Sequence, residues 1–148
     1  MNQPESATAA PTAEAGEGPA SQMGLTQGQL VQEFGYDEDV DFDFRDALED
    51  DLGSELLTED DQEPVDAVIL WWREDDGDVT DLTDALVDVQ TSLDSGPVWL
   101  FTPRKGREGY VDPADANEAA PTAGLHVTTT AGVSEDWSAT RLVGRRKS

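Results

Sequence analysis

The stretch PVDAVILWWREDDGD, residues 64–78, places a nearly continuous apolar segment directly before a run of acidic residues. The segment from Val65 to Trp72 lacks the alternation of a half-exposed strand and is rich in β-branched and aromatic side chains. This composition is typical of a strand that is covered on both faces, as in a parallel sheet. Because neighbouring strand residues point to opposite faces, we expect Trp71 and Trp72 to lie under different layers. The acidic residues after Arg73 then form the loop at the carboxyl end of this strand.

The segment that follows, VTDLTDALVDVQTSLDSG, has the pattern of an amphipathic helix. Asp78 or Thr80 is the expected N-cap, and Gly96 with Pro97 is the expected stop. The apolar residues recur at the spacing of one helical face, at Leu82, Leu86, Val89 and Leu93. A second apolar run, PVWLFTP, comes next and predicts another buried strand. Strand, helix and strand together predict a βαβ unit with parallel strands and a right-handed crossover.

Further elements are predicted on both sides of this unit. The stretch DEDVDFDFRDALEDDLG predicts a helix over about Phe42–Leu52, capped by Asp41 or Asp43 and closed by Gly53. Upstream, LVQEFGY is expected to pack onto the domain, and downstream SELLTEDDQE reads as a short strand or turn followed by a charged loop. Asp112 and Pro113 begin a predicted helix in VDPADANEAAPTAG, and LHVTTT and SATRLV predict a closing pair of strands. The class is α/β.

The ends of the chain differ in composition from its middle. Residues 1–30 are rich in Ala, Pro, Gly, Glu, Ser and Thr, and we predict a disordered tail there, followed by one domain over residues 31–144. Residues 145–148 form a basic end that we expect to fray. No targeting signal is visible, and the longest apolar run, Ala67–Trp72, is far shorter than the ~20 residues that span a membrane. We therefore expect a soluble, cytoplasmic protein.

Charge is the strongest compositional signal, with a formal net charge of −24 at pH 7. Residues 33–94 carry 24 acidic and two basic residues, whereas residues 95–148 carry six acidic and seven basic ones. Such a potential repels nucleic-acid phosphates and anionic lipid head groups, so it excludes both as direct partners. It leaves a basic protein partner open, and it leaves open the simpler explanation that the acid only maintains solubility.

Five segments in order, FGYDEDVD, DAVILWW, VWLFTP, EAAPTAGL and DWSATRLV, resemble an uncharacterised actinobacterial family, the domain of unknown function 3052. The resemblance covers roughly Val31 to Val143 and implies a cytoplasmic protein with no assigned reaction. More distantly, VWLFTPRKG followed by DWSATRLV looks like the second half of a Rossmann-like methyltransferase fold. It implies a small truncated Rossmann-like sheet, mixed, with a central parallel βαβ unit and flanking helices.

The same resemblance places a glycine loop after the first strand of longer relatives. In this chain we assign that region to GSELLTEDDQE, which has no G-x-G-x-x-G and no second glycine near Gly53. Those glycines let the backbone approach a dinucleotide or adenosylmethionine. We therefore expect no cofactor.

The one basic loop of the predicted domain, RKGREG, follows the second buried strand, at the edge where open α/β sheets bind ligands. A phosphate or carboxylate would be held there by side chains and backbone amides of Arg104, Lys105, Gly106, Arg107 and Gly109. The alternative is a solvated loop that pairs loosely with the acidic half of the domain.

Acidic residues form two further candidate groups, which together make a possible face for a basic partner: Asp37, Asp39, Asp41, Asp43, Glu74, Asp75 and Asp76. A calcium loop that starts at Asp39 would put Phe44 where the turn glycine belongs and Asp50 where a bidentate glutamate belongs. Acids that favour the N-terminus of a helix explain the first group more simply. Mg²⁺ held by the second group together with Asp78, with a phosphate bridging to the basic loop, is an alternative to plain acidic turn residues. We expect no metal.

Catalytic side chains are scarce in this sequence. There is no cysteine, His126 is the single histidine, and no G-x-S-x-G motif is present. Trp99 and Trp137 are expected to complete the core, with an exposed Trp137 as the alternative that would mark a docking surface. We favour a non-catalytic adaptor or regulatory domain with an acidic face. The alternative is a domain that binds a nucleotide or another anion, or a transferase, with its site at the carboxyl edge of the sheet. A third candidate function, mimicry of nucleic acid by the acidic surface, rests on charge alone and ranks last.

Overall fold

The computed structural model describes residues 18–91, 93 and 96–144. The described residues form five helices or helical turns and five strands. The helical elements are α1 (Pro19–Gln22), α2 (Phe42–Leu52), a 3-10 turn (Glu74–Asp76), α3 (Val79–Asp88) and α4 (Pro113–Thr122). The strands are β1 (Val31–Phe34), β2 (Ala67–Trp71), β3 (Val98–Pro103), β4 (Leu125–Ala131) and β5 (Trp137–Gly144).

The strands form one mixed sheet in the order β1-β2-β3-β5-β4. The first three strands are parallel, and β5 runs antiparallel to both β3 and β4. Helices α1 and α2 cover one face, and α3 and α4 cover the other. This arrangement confirms the predicted α/β class and the central parallel βαβ unit.

The two apolar segments lie side by side at the centre, as predicted. Every residue of β2 and β3 is buried, and Leu70 pairs with Leu100 in the parallel register. Trp71 packs in the layer of α1 and α2, whereas Trp72 packs in the layer of α3 and α4. The two indoles therefore lie on opposite sides of the sheet. Trp99 and Trp137 are fully buried, which confirms their place in the core.

Local capping chemistry sets the helix bounds. Helix α2 has the predicted limits, with the Asp41 carboxylate accepting from the Phe44 amide at 3.0 Å and Gly53 in the left-handed region at φ 80°. The prediction for α3 was too long, since this helix ends at Asp88. The chain beyond it has to extend in order to enter β3, and Leu93 already forms a parallel bridge with Val65.

The chain reverses direction across the sheet at β1. From β1 it passes through α2 to Leu57, which pairs with β1 on the side away from β2: the Glu33 amide donates to the Leu57 carbonyl, and the Leu57 amide to the Val31 carbonyl, both at 2.9 Å. From β2 the chain passes through α3 in the opposite direction to β3, with α3 on the opposite face from α2. The two crossovers consequently share one hand. Such a reversal opens a crevice outside the carboxyl ends of β1 and β2, and ligands of open α/β sheets bind in a crevice of this kind.

The packed part of the chain begins earlier than residue 31. Ala20, Met23 and Leu25 are buried in the core, and the Ala20 amide donates to the Asp51 carboxylate of α2 at 3.2 Å. The rest of the predicted tail, residues 1–17, and the basic end, residues 145–148, lie outside the described residues. Within the part of the chain that the structure describes, no helix has the length and apolar composition to cross a bilayer.

Candidate functional site

Four loops meet at the carboxyl edge of the sheet, and both groups of candidate residues lie there. The Glu74 amide donates to the Gly109 carbonyl at 3.0 Å, which joins the loop after β2 to the loop after β3. The Ser134 hydroxyl donates to the Asp41 carboxylate at 2.6 Å, which joins the β4–β5 connection to the loop after β1. The edge is therefore closed by contacts between its own loops.

Arg73 occupies the crevice between the ends of β1 and β2. Its Nη1 donates to the carbonyls of Gly35 at 2.7 Å and Trp71 at 3.2 Å. Its Nε and Nη2 donate to the two carboxylate oxygens of Asp39, with the Nε bond at 3.0 Å. The guanidinium carbon lies 5.2 Å from the centroid of the Trp137 ring. The Arg73 side chain is 13% exposed, so it fills the crevice.

The backbones at the ends of β1 and β2 approach each other closely beside Arg73. Gly35 has a φ of 77°, and a Cβ built on it would collide with the Trp71 carbonyl oxygen.

The loop after the first strand is residues 35–41, because β1 ends at Phe34 and α2 begins at Phe42. Gly35 is its single glycine, and the assignment of that loop to GSELLTEDDQE was wrong. Sequence patterns placed it wrongly because β1 was not recognised as a strand.

The charges around Arg73 stabilise one another. The hydrogen bond from Arg73 holds the pKa of the Asp39 carboxyl below its ordinary value. Burial acts to lower the pKa of Arg73, but its bond to Asp39 and the nearby carboxylates outweigh burial and raise that pKa. Asp76 adds a 3.6 Å ion pair to Nη1 and accepts from the Arg73 amide at 2.9 Å.

The seven candidate acids separate into two groups. The carboxylates of Asp39, Asp41 and Asp76 accept hydrogen bonds from other residues at the edge, and Asp37 accepts from the neighbouring Glu38 amide. The other three are exposed, and their carboxylates make no hydrogen bond or ion pair within the described chain: Asp43, Glu74 and Asp75. Among the described residues, no three acidic or histidine side chains are placed to hold a metal ion.

The basic loop does not gather its charges around one point. Arg104 donates to the carbonyls of Ser134 at 2.7 Å and Trp137 at 3.3 Å. Arg107 donates to the Asp136 carbonyl at 3.2 Å. Lys105 is exposed and makes no side-chain bond to a described residue. The positive φ values of Gly106 and Gly109, 96° and 85°, shape the turn that carries these residues.

A cavity of about 520 Å³ lies below this loop, between α4 and the β4–β5 hairpin. Its lining is partly apolar and also includes hydroxyl, amide and ammonium groups from Lys105, Tyr110, Asn117, Thr130, Ser138 and Thr140. Sequence reasoning missed this cavity. The available signal was the alternation in WSATRL, which puts Ser138 and Thr140 on the same face as Leu142, the face that α4 covers.

A buried charge cluster fixes α2 to the sheet near the crevice. Glu33 is 6% exposed and accepts from Arg45 through Nε at 2.7 Å and Nη2 at 2.9 Å. The Trp71 indole N–H donates to the same carboxylate at 2.7 Å. Arg45 also lies over the Tyr36 ring, 4.8 Å from its centroid. Sequence reasoning missed this cluster as well, because its members are far apart in the chain.

Comparison with known proteins identifies relatives of the chain. The model of the family described as "Protein of unknown function (DUF3052)" matches residues 20–146. Uncharacterized proteins of Mycobacterium tuberculosis (Rv2239c) and Mycobacterium bovis (Mb2263c) are each 48% identical over 125 residues, which is 84% of this chain and 77% of the relative.

Solved structures of methyltransferases share the fold. The O-methyltransferase NcsB1 from neocarzinostatin biosynthesis, in complex with S-adenosylmethionine, matches with a TM-score of 0.56 and 14% identity, over 90% of this chain and 53% of NcsB1. Magnesium protoporphyrin IX methyltransferase from Synechocystis matches with a TM-score of 0.53 and 13% identity, over 82% of this chain and 72% of the enzyme. At this identity the likeness establishes a Rossmann-like fold and nothing about activity.

Proposed function

The chain belongs to the DUF3052 family, and we propose that it is a non-catalytic adaptor or regulatory domain that binds a basic protein through its acidic face. The observation that carries this proposal is the filling of the crevice by Arg73. Rossmann-like enzymes need that space for the cofactor, which approaches the backbone of a glycine-rich turn. Here the turn has one glycine, and the space above it holds a guanidinium.

S-adenosylmethionine, which the NcsB1 structure contains, would have to enter the crevice between the ends of β1 and β2. In this chain Arg73 lies in that crevice and donates to the Trp71 carbonyl, which argues against a cofactor at this place.

The surface around the filled crevice supports binding of a basic partner. Asp43, Glu74 and Asp75 are exposed carboxylates that have no internal partner within the described chain. Two aromatic side chains lie in the same region: Tyr36 is 51% exposed, Phe42 is 43% exposed, and their rings meet edge to face at 6.0 Å. Aromatic residues anchor interfaces, and complementary charge speeds association and selects partners. This combination favours a protein surface that carries Lys and Arg.

Neutralising the three unpartnered carboxylates is expected to abolish partner capture while leaving the fold intact. The variant is Asp43→Asn with Glu74→Gln and Asp75→Asn, since these charges steer a basic partner and their loss costs the domain only the weak interaction of Asp43 with the N-terminus of α2. The measurement is affinity capture from an actinobacterial lysate at about 0.1 M and then about 1 M salt, between which the screening length falls from ~10 to ~3 Å. We expect the wild type to retain a specific protein at low salt only.

The matched control removes the same number of charges away from this edge, in the variant Glu63→Gln with Asp84→Asn and Glu118→Gln. These three residues are exposed and make no side-chain bond to the rest of the described chain. The control is expected to capture the same protein as the wild type. Recovery of no specific protein by the wild type, or equal capture by both variants, would reject the adaptor proposal.

Binding of a small molecule is the second candidate function, and the cavity below the basic loop is the observation that favours it. The arginines of the basic loop give this function no support at the sheet edge, because Arg104 and Arg107 already donate to the 134–137 segment.

A further inference from the structure

Hydroxyl groups form a patch on a sheet face that is otherwise apolar. On the face covered by α3 and α4, the centre of the sheet presents Val68, Leu70, Val98 and Leu100. Toward the carboxyl edge, three neighbouring strands present hydroxyls instead. Thr102 pairs with Ser138 across β3 and β5, and Thr140 pairs with Thr130 across β5 and β4. All four of these residues line the cavity.

None of these hydroxyls has a partner in the described part of the protein. Thr102 is buried and Ser138 and Thr140 are half-buried, whereas Thr130 is exposed. Asn117, Tyr110 and Lys105, which form part of the cavity wall, likewise make no side-chain hydrogen bond to a described residue. The cavity wall therefore presents polar groups that no intramolecular bond occupies and that a polar ligand can bind in place of water.

The shape of the cavity is set by the small side chains of α4. The buried residues of this helix are all alanines, Ala116, Ala119 and Ala120, and Ala116 lines the cavity. The helix begins only at Pro113, so the floor near Ser138 stays uncovered. A volume of about 520 Å³ lies within the ~300–1,000 Å³ of small-molecule sites.

We propose that this cavity binds a polyhydroxylated compound of monosaccharide size that carries one anionic group. Hydroxyls and the Asn117 amide both donate and accept, which suits a ligand rich in hydroxyls. Leu100 and Val127 offer apolar contact to its C–H groups. Lys105 supplies a free cation at the wall. The two other charged residues of the lining have partners within the chain, since Arg104 donates to the carbonyls of Ser134 and Trp137 and Asp112 accepts from the Ala114 amide. This inference deepens the second candidate function and is independent of partner binding by the acidic face.

The test is an NMR titration of the ¹⁵N-labelled full chain with a hexose phosphate, a free hexose and inorganic phosphate. We expect the hexose phosphate to shift the amides of Lys105, Asn117, Thr130 and Ser138–Thr140 saturably. The free hexose and inorganic phosphate should each bind at least about tenfold more weakly, because each lacks half of the recognised groups. The titration reads the cavity only, so it can fail while the acidic face still captures a partner.

Variants on the cavity floor separate recognition from folding. Thr130→Val is expected to weaken hexose phosphate binding about fivefold to tenfold, the loss of one hydrogen bond, and Lys105→Ala by at least as much. Thr129→Val is the matched control, since Thr129 lies on the same strand, pairs with Arg141 and faces the other side of the sheet. Lys105 is exposed, so its substitution tests the site without disturbing the core.

Three outcomes would overturn the proposal. The first is that millimolar hexose phosphate leaves the cavity amides unmoved. The second is that inorganic phosphate shifts Lys105 as strongly as the hexose phosphate, which would mean nonspecific anion contact. The third is that Thr129→Val weakens binding as much as Thr130→Val.

Discussion

Replacing Arg73 with alanine is expected to lower the free energy of unfolding by about 2–3 kcal/mol. The change leaves the carbonyls of Gly35 and Trp71 without their donor and removes the cation over the Trp137 ring. Losing a charged donor to partly buried groups costs ~1.5–3 kcal/mol, and the cation–π contact adds to this. The ion pair itself adds little, because Asp39 is 48% exposed. Urea unfolding of both proteins measures the difference.

Arg107→Ala is the control for this change. Arg107 is 37% exposed, its Nε lies 3.9 Å from the Asp136 carboxylate, and its hydrogen bond to the Asp136 carbonyl is exposed to solvent. Its removal is therefore expected to cost less than about 0.5 kcal/mol. If both alanine variants unfold at the same urea concentration, Arg73 does not hold the edge together.

Replacing Arg45 with methionine is expected to cost about 3–5 kcal/mol, the largest single effect predicted for this chain. Methionine keeps the length of the side chain but removes both donors to the Glu33 carboxylate. Glu33 is 6% exposed and, among the described residues, keeps only the Trp71 indole as a side-chain donor. A buried carboxylate that loses its cation carries a desolvation penalty of this order. Urea unfolding is again the measurement.

A double-mutant cycle isolates the Glu33–Arg45 interaction. Glu33→Gln alone leaves a buried guanidinium unpaired, whereas Glu33→Gln combined with Arg45→Met leaves no buried charge at all. The double variant should therefore be destabilised by at least about 1 kcal/mol less than the sum of the single changes. Additivity within about 0.5 kcal/mol would show that the two charges do not depend on each other.

The central strands could be predicted because burial on both faces leaves a continuous apolar run. The segments DAVILWW and VWLF could be predicted as strands for that reason, and the neighbouring Pro and Gly residues mark where each strand ends. The bounds of α2 were equally accessible, since Asp41 and Gly53 act within one turn of the helix ends. In each case the stabilising contact is local in sequence or follows from composition.

Strand β1 escaped prediction because two of its four residues are polar yet buried. Gln32 donates to the carbonyls of Thr58 and Asp61, and Glu33 is bound by Arg45 and Trp71. These partners lie 12 to 38 residues away, so no local pattern predicts the burial. The position of the crevice depended on β1 and was missed with it.

The sequence predicts that the acidic and basic loops lie at one edge of the sheet, but not which of their side chains bond to each other. The carboxyl edge does bring the acidic and basic loops together, as parallel strands require. The sequence does not indicate that Arg73 and Asp39, 34 positions apart, bind each other. Nor does it indicate that Arg104 and Arg107 donate to the 134–137 segment. Which charges stay free depends on contacts between distant loops.

Titration of the Asp39 carboxyl carbon by NMR most directly tests the claim that Arg73 fills the crevice. The hydrogen bond from Arg73 lowers the folded pKa of Asp39, so its contribution to stability is present above the unfolded pKa and is lost as the pH falls through the folded pKa. The expected result is a midpoint below the ordinary aspartate value in the wild type, and a return toward that value in Arg73→Ala. An ordinary midpoint in the wild type that Arg73→Ala leaves unchanged would mean that the guanidinium lies elsewhere and the crevice is open.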